Sequence, residues 1–269
     1  MSASTAFEKA RADERAALVG YLPAGFPTVD AGIEAMKALV DSGCDVIEIG
    51  LPYSDPVMDG PTIQAAAQRA LDGGVRTRDV LSTVEAVAAT GTPALVMTYW
   101  NPVDHYGVER FAADLANAGG AGLITPDLTP DSGGAWIAAA DAHDLDKVFL
   151  VAPSSTDERV AMTTVASRGF VYAAAVMGVT GARATTSEVA GPLVARTKAA
   201  VLDQGRDLPV AVGIGVSNGD QAAEVAAYAD GVIVGSALVR CLLDHDDTAG
   251  GLRALAALTD DLARGVRRE

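Results

Sequence analysis

Residues 44–52 read CDVIEIGLP, a short, mostly apolar run that contains two acidic side chains, Asp45 near its start and Glu48 inside it, and that ends in glycine, leucine and proline. Similar runs recur at residues 17–23, 93–99, 121–127, 146–152, 169–175, 208–214 and 230–236. The segments between the runs place apolar residues at helical spacing, as in Leu252, Leu255, Leu258 and Leu262. Strand-like runs that alternate with helical segments are typical of a parallel α/β fold.

The number of these units distinguishes between the common parallel architectures. Eight strand–helix units in 269 residues favour a closed barrel over an open, doubly wound sheet, and about 250 residues is the usual length of such a barrel. We therefore predict a single-domain (β/α)8 TIM barrel that spans residues 1–269. Helix starts are predicted where Ser155 precedes Glu158, where Ser217 precedes Asp220, and at Pro61.

Two of the intervals between strands are longer than the rest, and they follow the second and the sixth run. Long loops in a compact domain are usually functional, and in a barrel the loops that follow the strands lie on the catalytic face. We therefore expect the chemistry at the long loops after strands 2 and 6, in SDPVMDG (54–60) and MGVTGARAT (177–185).

Composition excludes several classes of protein. The formal net charge of −15 speaks against a nucleic-acid surface, which needs a basic stripe. Cys44 and Cys241 lack metal-ligand spacing, and we interpret both as core residues in a reducing compartment. The N-terminus has no apolar signal core, and no apolar run reaches about 18 residues. We therefore predict a soluble, cytoplasmic protein that binds neither nucleic acid nor membrane.

Glu48 is an acidic residue inside an apolar strand, near the C-terminal end of that strand. Val46, Glu48 and Gly50 share one face, and the branched residues between them share the other. If the branched face packs against helices, Glu48 points into the barrel mouth. A buried carboxylate is costly unless it is paired, hydrogen-bonded or held for catalysis. A structural, hydrogen-bonded glutamate remains the alternative.

Asp59, at the end of the long second loop, is the second candidate acid. An isolated Asp-Gly pair is more often a turn before a helix. Here the loop begins beside Glu48, so the two carboxyl groups could face one pocket and divide the roles of acid and base. Asp55, in the same loop, is interpreted as a turn residue.

Glycines follow the last two strands, where many barrels bind phosphate through backbone amides at the start of a helix. Gly213 and Gly215 end strand 7, while Gly235 and Ser236 end strand 8 and begin a helical segment. Such a cradle needs no arginine, which suits an acidic protein. The alternatives are plain turn glycines and a dinucleotide-binding fingerprint, but that fingerprint requires a glycine where the chain has Asn218.

The sequence lacks the residues that two other common mechanisms of barrel enzymes need at the expected positions. No lysine stands at the C-terminal end of a predicted strand, which disfavours a Schiff base; the lysines are Lys9, Lys37, Lys147 and Lys198. The histidines are scattered and lack metal-ligand spacing, which disfavours a metal-dependent mechanism; they are His105, His143 and His245. Carboxylate acid–base chemistry on a phosphorylated substrate remains.

Residues 47–64 read IEIGLPYSDPVMDGPTIQ and resemble the signature of the tryptophan synthase α-chain family. The similarity continues through MTYWNP (97–102), TPDLTPD (125–131), VYAAAVMGVTGAR (171–183), VGIGVS (212–217) and DGVIVGSALV (230–239). Met58 departs from the family pattern, which usually has a small residue there. The resemblance implies a lyase of L-tryptophan biosynthesis that splits indole-3-glycerol phosphate into indole and glyceraldehyde 3-phosphate.

The resemblance also implies roles for individual positions. Glu48 would protonate C3 of the indole ring and help to deprotonate the glycerol hydroxyl, and Asp59 would accept the indole N–H proton. Thr180 would contact Asp59 when the sixth loop closes. The residues implied in phosphate binding are Gly181, Gly213, Gly235 and Ser236. The residues implied in lining the substrate site are Tyr21, Met97, Tyr99, Ile124, Asp127 and Tyr172.

The partner of this family is a β-subunit that carries pyridoxal phosphate and receives the indole in an α2β2 assembly. The resemblance therefore implies such a heterotetramer, no cofactor in this chain, and partner contacts through the second loop and residues 125–131. Two alternatives stay open: a stand-alone lyase that releases free indole, and a catalytically silent barrel that activates a partner. The presence of Glu48 and Asp59 argues against the silent barrel.

Overall fold

The fold is a closed barrel of eight parallel strands, seen in a computed structural model that describes residues 1–175, 186–245 and 247–267. Each strand lies within one of the predicted apolar runs. The strands are β1 (Ala17–Pro23), β2 (Val46–Gly50), β3 (Ala94–Met97), β4 (Gly122–Thr125), β5 (Asp146–Val151), β6 (Val171–Ala174), β7 (Val210–Gly213) and β8 (Gly231–Val234).

Each strand pairs in parallel with the next, and β8 pairs with β1 to close the barrel. In β1, Tyr21 is aligned with Glu48 of β2, and Val19 is aligned with Ile233 of β8. The closed, parallel order confirms the predicted (β/α)8 TIM barrel.

Helices cover the outside of the barrel, and the interval after β2 holds two of them. The described helices are α1 (Ser4–Ala12), α2 (Val29–Asp41), α3 (Pro61–Asp72), α4 (Thr77–Ala88), α5 (Trp100–Tyr106), α6 (Val108–Asn117), α7 (Gly134–Ala142), α8 (Asp157–Ala166), α9 (Thr186–Asp203), α10 (Gly219–Ala226), α11 (Ser236–Leu243) and α12 (Thr248–Gly265). The length of the second interval therefore comes from α3 and α4 as well as from the loop at residues 51–60. The loop predicted after β6 falls largely outside the described residues.

Two of the three predicted helix starts are wrong by one residue. Helix α8 is capped by Thr156 rather than Ser155, and α10 is capped by Asn218 rather than Ser217. In both helices the capping side chain accepts a hydrogen bond from the backbone amide three residues later. The capping residues have the extended backbone that this geometry requires. Pro61 is the first residue of α3, as predicted.

The two faces of β2 pack in different surroundings. Ile47 and Ile49 belong to the core between the barrel and the helices, whereas Val46 belongs to the core inside the barrel. Burying a side chain such as isoleucine stabilises the fold by roughly 1.5–3 kcal/mol, and a one-residue slip of the strand would exchange its two faces. The isoleucines thus hold Glu48 on the inward face, as the alternation predicts.

The amino end of the barrel is covered by helix α1. The ring of Phe7 in α1 lies 5.1 Å, centroid to centroid, from that of Phe170 at the edge of the barrel interior. The carboxylate of Asp146, which begins β5, is fully buried and accepts hydrogen bonds from the amide of Ala3 (2.6 Å) and the hydroxyl of Ser2 (2.8 Å). These contacts fix α1 beneath the strands, which leaves the carboxyl end of the barrel for a ligand.

Candidate active site

A cavity of about 250 Å³ opens at the carboxyl ends of the strands. Its walls come from β1, β2, β3, β6, β7 and β8, from the second loop and from the start of α11. It brings together eight of the residues predicted from the sequence: Tyr21, Glu48, Asp59, Met97, Tyr172, Gly213, Gly235 and Ser236. Both candidate acids and both glycine turns therefore face one space.

Glu48 lines this cavity with a side chain that is 0% exposed. Neither oxygen of its carboxyl group has a hydrogen-bond partner among the described residues. Burial raises the pKa of Glu48 to about 8, because the charged form loses its hydration. A structural glutamate in such a place would be hydrogen-bonded, so the geometry argues against that alternative. A carboxyl group that keeps its proton at neutral pH can act as a general acid.

Asp59 is half-buried and is held in place by Tyr99. The Tyr99 hydroxyl donates to Oδ1 of Asp59 (3.2 Å) and accepts from the amides of Met58 (2.8 Å) and Val57 (3.2 Å). Burial raises the pKa of Asp59, and the hydrogen bond from Tyr99 opposes that shift. Among the described residues Asp59 has a hydrogen-bond donor and Glu48 has none, so the two acids have the different environments that separate acid and base roles require.

Two glycines of the site leave room for the rings of the two tyrosines beside Glu48. A methyl group on Gly213 would lie 2.5 Å from the hydroxyl oxygen of Tyr172, and one on Gly50 would lie 2.7 Å from the ζ-carbon of Tyr21. Either methyl group would displace a partly buried ring that packs against the closely packed core. Gly213, predicted as a phosphate-binding glycine, therefore also makes room for Tyr172.

The ends of β7 and β8 have the features of an anion site. Helix α11 begins at Ser236, and its N-cap residue is Gly235, which has no side chain that could cap the first amides of the helix. The amides at the start of a helix lack partners within the helix, and the helix dipole favours a negative group beside them. Gly215, in the left-handed region at φ 82°, lines the same cavity. None of the described lining residues is basic, so an anion there would be bound by backbone amides.

The structure places three predicted residues outside the lining of the cavity. Ile124 is fully buried in the barrel interior. The carboxylate of Asp127 accepts hydrogen bonds of 2.9 and 3.1 Å from the first backbone amide of α5. Tyr99 contacts the second loop, as described above. Thr180 and Gly181, predicted in the sixth loop, lie outside the described residues.

The sequence does not single out three isoleucines of the lining, which are Ile63, Ile214 and Ile233. One signal was available for Ile233. It precedes Gly235 by two positions, so strand alternation places both on the inward face. Ile63 lies in α3 and has the pattern of an ordinary core residue, so nothing in the sequence separates it from helix packing.

Two further features of the described residues concern metal ligands and membrane-spanning helices. Their histidine, cysteine, aspartate and glutamate side chains form no group of three or more that could hold a metal ion. None of the helices within the described ranges has the length and hydropathy needed to cross a membrane.

Known proteins resemble this chain along nearly its whole length. The sequence matches the tryptophan synthase alpha chain family over residues 7–267. It is 60% identical over 262 residues to the tryptophan synthase alpha chain of Mycobacterium intracellulare, covering 97% of this chain and 93% of the relative. It is 62% identical over 262 residues to that of Salinispora arenicola, covering 97% and 96% of the two chains.

Solved structures resemble the fold just as closely. A structure of Mycobacterium tuberculosis tryptophan synthase has a TM-score of 0.89 and 59% sequence identity, with 98% of each chain covered. Tryptophan synthase subunit alpha from Legionella pneumophila has a TM-score of 0.83 and 32% identity, with 99% of this chain and 98% of that chain covered.

Proposed function

The chain belongs to the tryptophan synthase alpha chain family, and from that membership we propose how its residues cleave indole-3-glycerol phosphate into indole and glyceraldehyde 3-phosphate. The activity is that of a lyase in L-tryptophan biosynthesis. One observation carries the assignment of residues: the fully buried carboxyl group of Glu48, without a hydrogen-bond partner among the described residues, shares a cavity with Asp59.

Glu48 supplies the proton that starts the cleavage. With a pKa of about 8 its carboxyl group is protonated at neutral pH, and it donates that proton to C3 of the indole ring. The ring becomes positively charged, and the Asp59 carboxylate stabilises that charge by accepting a hydrogen bond from the ring N–H. Without protonation at C3, the ring would have to leave as a carbanion.

The second step breaks the carbon–carbon bond and restores the acid. The Glu48 carboxylate removes the proton from the glycerol hydroxyl next to C3. The oxygen electron pair then forms the aldehyde C=O, the bond to C3 breaks, and its electron pair restores the aromatic ring. Glu48 ends protonated, as it began, and the products are indole and glyceraldehyde 3-phosphate.

The substrate phosphate binds at the ends of β7 and β8 in this proposal. Gly235 and Ser236 offer the amides at the start of α11, and Gly213 lies beside them in the cavity. The family resemblance adds Thr180 and Gly181 of the sixth loop, which would cover the substrate and exclude water. Binding through amides suits a chain whose net charge is −15, because no excess of lysine or arginine is needed.

The indole ring occupies the apolar part of the lining. Flat aromatic rings are bound by apolar side chains, with a few polar groups that fix their orientation. Tyr99 and Asp127 support this pocket indirectly. The Tyr99 hydroxyl accepts a hydrogen bond from the second loop, and the Asp127 carboxylate accepts one from the first amide of α5. The residues that we place around the ring are Tyr21, Ile63, Met97, Tyr172, Ile214 and Ile233, with Ile124 behind them.

The indole then passes to a tryptophan synthase β-subunit in an α2β2 assembly. The second loop supports this part of the proposal, because Val57 and Met58 are 82% and 54% exposed although both are apolar. Exposed apolar side chains that lie together are typical of a surface that binds another protein. Residues 125–131 would extend the contact. Pyridoxal phosphate belongs to the β-subunit, since side-chain acids carry the cleavage in this chain.

The decisive experiment incubates the protein with indole-3-glycerol phosphate and measures indole and glyceraldehyde 3-phosphate, with and without a β-subunit. Glu48→Gln and Asp59→Asn should each lower the rate at least about 10²-fold, as expected for a lost general acid or base. Glu34→Gln is the matched control, because it makes the same kind of replacement on the exposed face of α2 and should leave the rate unchanged.

The outcomes separate the alternatives. Near-normal turnover in Glu48→Gln or in Asp59→Asn would refute the role assigned to that residue. Equal turnover with and without the β-subunit would favour a stand-alone lyase. Wild-type turnover no better than that of Glu48→Gln, with the β-subunit present, would favour a silent barrel.

A further inference from the structure

Tyr21 brings to the cavity a hydroxyl group that the cleavage described above does not use. Strand β1 aligns Tyr21 with Glu48 of β2. The ring extends from the end of β8 to the end of β2. A methyl group on Gly235 would lie 3.5 Å from its δ-carbon, and the ζ-carbon and hydroxyl lie over Gly50. The ring of Tyr21 thus lies across the carboxyl ends of β8 and β2.

This position lies at the junction between the two acids. Gly50 is the last residue of β2 and follows Glu48 by two positions on the same face. The loop that carries Asp59 begins directly after Gly50. Burial raises the pKa of Tyr21, and the negative charges of Asp59 and Glu48 raise it further. Tyr21 therefore keeps its proton and can serve as a hydrogen-bond donor to a carboxylate.

Glu48 needs such a donor during the reaction. Once it has protonated the substrate, it becomes a buried carboxylate without a hydrogen-bond partner among the described residues, which is unfavourable. The titratable groups that face it from the described elements are Tyr21 of β1, Asp59 of the second loop and Tyr172 of β6. An aspartate carboxylate cannot donate, and the hydroxyl of Tyr172 lies over Gly213 of β7.

We propose that Tyr21 is a positioning residue whose hydroxyl donates a hydrogen bond to the Glu48 carboxylate once that group has given up its proton. The role rests on the proposed function, in which Glu48 is the proton donor. The hydrogen bond forms as negative charge develops on Glu48, so it stabilises the transition state more than the bound substrate. No described hydrogen bond would have to break, because the Tyr21 hydroxyl makes none among the described residues.

The test compares Tyr21→Phe with wild type. The variant keeps the ring over Gly50 and loses only the oxygen. We expect kcat to fall about tenfold, the size expected for a lost hydrogen bond to a charged group, with KM changed by less than about threefold. The pH at which kcat declines on the alkaline side should rise by about one pH unit, because the Glu48 carboxylate has lost a donor and its pKa increases.

A direct titration of Glu48 separates this role from packing. The carboxyl 13C signal of Glu48, followed by NMR in the substrate-free protein, should give a higher pKa in Tyr21→Phe than in wild type. Tyr106→Phe is the matched control, since that hydroxyl donates to Asp114 (2.6 Å) on the outer helices. It should leave the Glu48 titration and the rate unchanged.

Two results would overturn the inference: an unchanged Glu48 titration in Tyr21→Phe, or an unchanged alkaline decline of kcat. Either result would leave the proposed function intact if Glu48→Gln is inactive. Full activity in Glu48→Gln would instead show that the proposed function itself is wrong. The two failures are therefore distinguishable.

Discussion

Replacing Glu48 by glutamine should make the folded protein more stable at alkaline pH. The Glu48 side chain is 0% exposed, and neither of its carboxyl oxygens has a hydrogen-bond partner among the described residues. Its pKa is about 8 in the folded protein, against an ordinary value of 4.5 in a solvated chain. Ionising this group inside the fold therefore costs free energy that glutamine, which stays neutral, does not incur.

The sign of the effect follows from proton binding. Between pH 4.5 and about 8 the folded protein keeps the Glu48 proton and the unfolded chain loses it. The free energy of unfolding therefore falls as pH rises through this window and levels off above it. At about 1.36 kcal/mol for each pH unit, the full loss is about 5 kcal/mol, of which roughly 2.5 kcal/mol falls between pH 6 and pH 9.

The measurement is urea-induced unfolding of wild type and Glu48→Gln at both pH values. Other titrating groups contribute equally to both proteins, so they cancel in the difference between the two pH dependences. Wild type should lose about 2.5 kcal/mol more than the variant on going from pH 6 to pH 9. Parallel pH dependences in the two proteins would show that Glu48 is not a buried, protonated acid, and the assigned first step of the reaction would fail with it.

Two further variants test contacts that the structure shows. Gly213→Ala forces a methyl group against Tyr172 and should lower the free energy of unfolding by about 1–3 kcal/mol. Gly191→Ala is the control: Gly191 lies within α9, where an added methyl group meets no atom within 4 Å, so this variant should leave the free energy of unfolding unchanged or raise it. Chemical denaturation measures both, and equal stabilities would contradict the close packing. Asp146→Ala leaves the amide of Ala3 without its acceptor, so it should lower the free energy of unfolding by about 1–3 kcal/mol and increase hydrogen exchange in α1. Unchanged hydrogen exchange in α1 would show that the Asp146 carboxylate does not hold the helix in place.

The strands could be predicted from the sequence because their signals are local. An apolar run that ends in glycine or proline marks a strand wherever the chain folds, and the alternation of side chains fixes which residues share a face. Glu48 could therefore be assigned to the inward face before any contact was known. Helix starts were predicted less well, because Thr156 and Asn218 compete with neighbouring polar residues for the same capping position.

The site was only partly predictable, because its energetics depend on contacts between distant segments. Tyr99 and Asp59 are 40 positions apart, and their hydrogen bond exists only because β3 lies beside the second loop in the closed barrel. The placement of Asp127 against the first amide of α5, outside the cavity lining, has the same origin. No periodicity in the sequence encodes either contact.

The sequence by itself determined that strands and helices alternate, that eight units close a barrel, and that Glu48 and the glycines lie at the carboxyl end. Only the tertiary structure decided that Glu48 is buried without a hydrogen-bond partner among the described residues, and that Gly213 makes room for Tyr172. The reason is physical: backbone periodicity acts over a few residues, whereas desolvation and close packing depend on every segment that the closed barrel brings together.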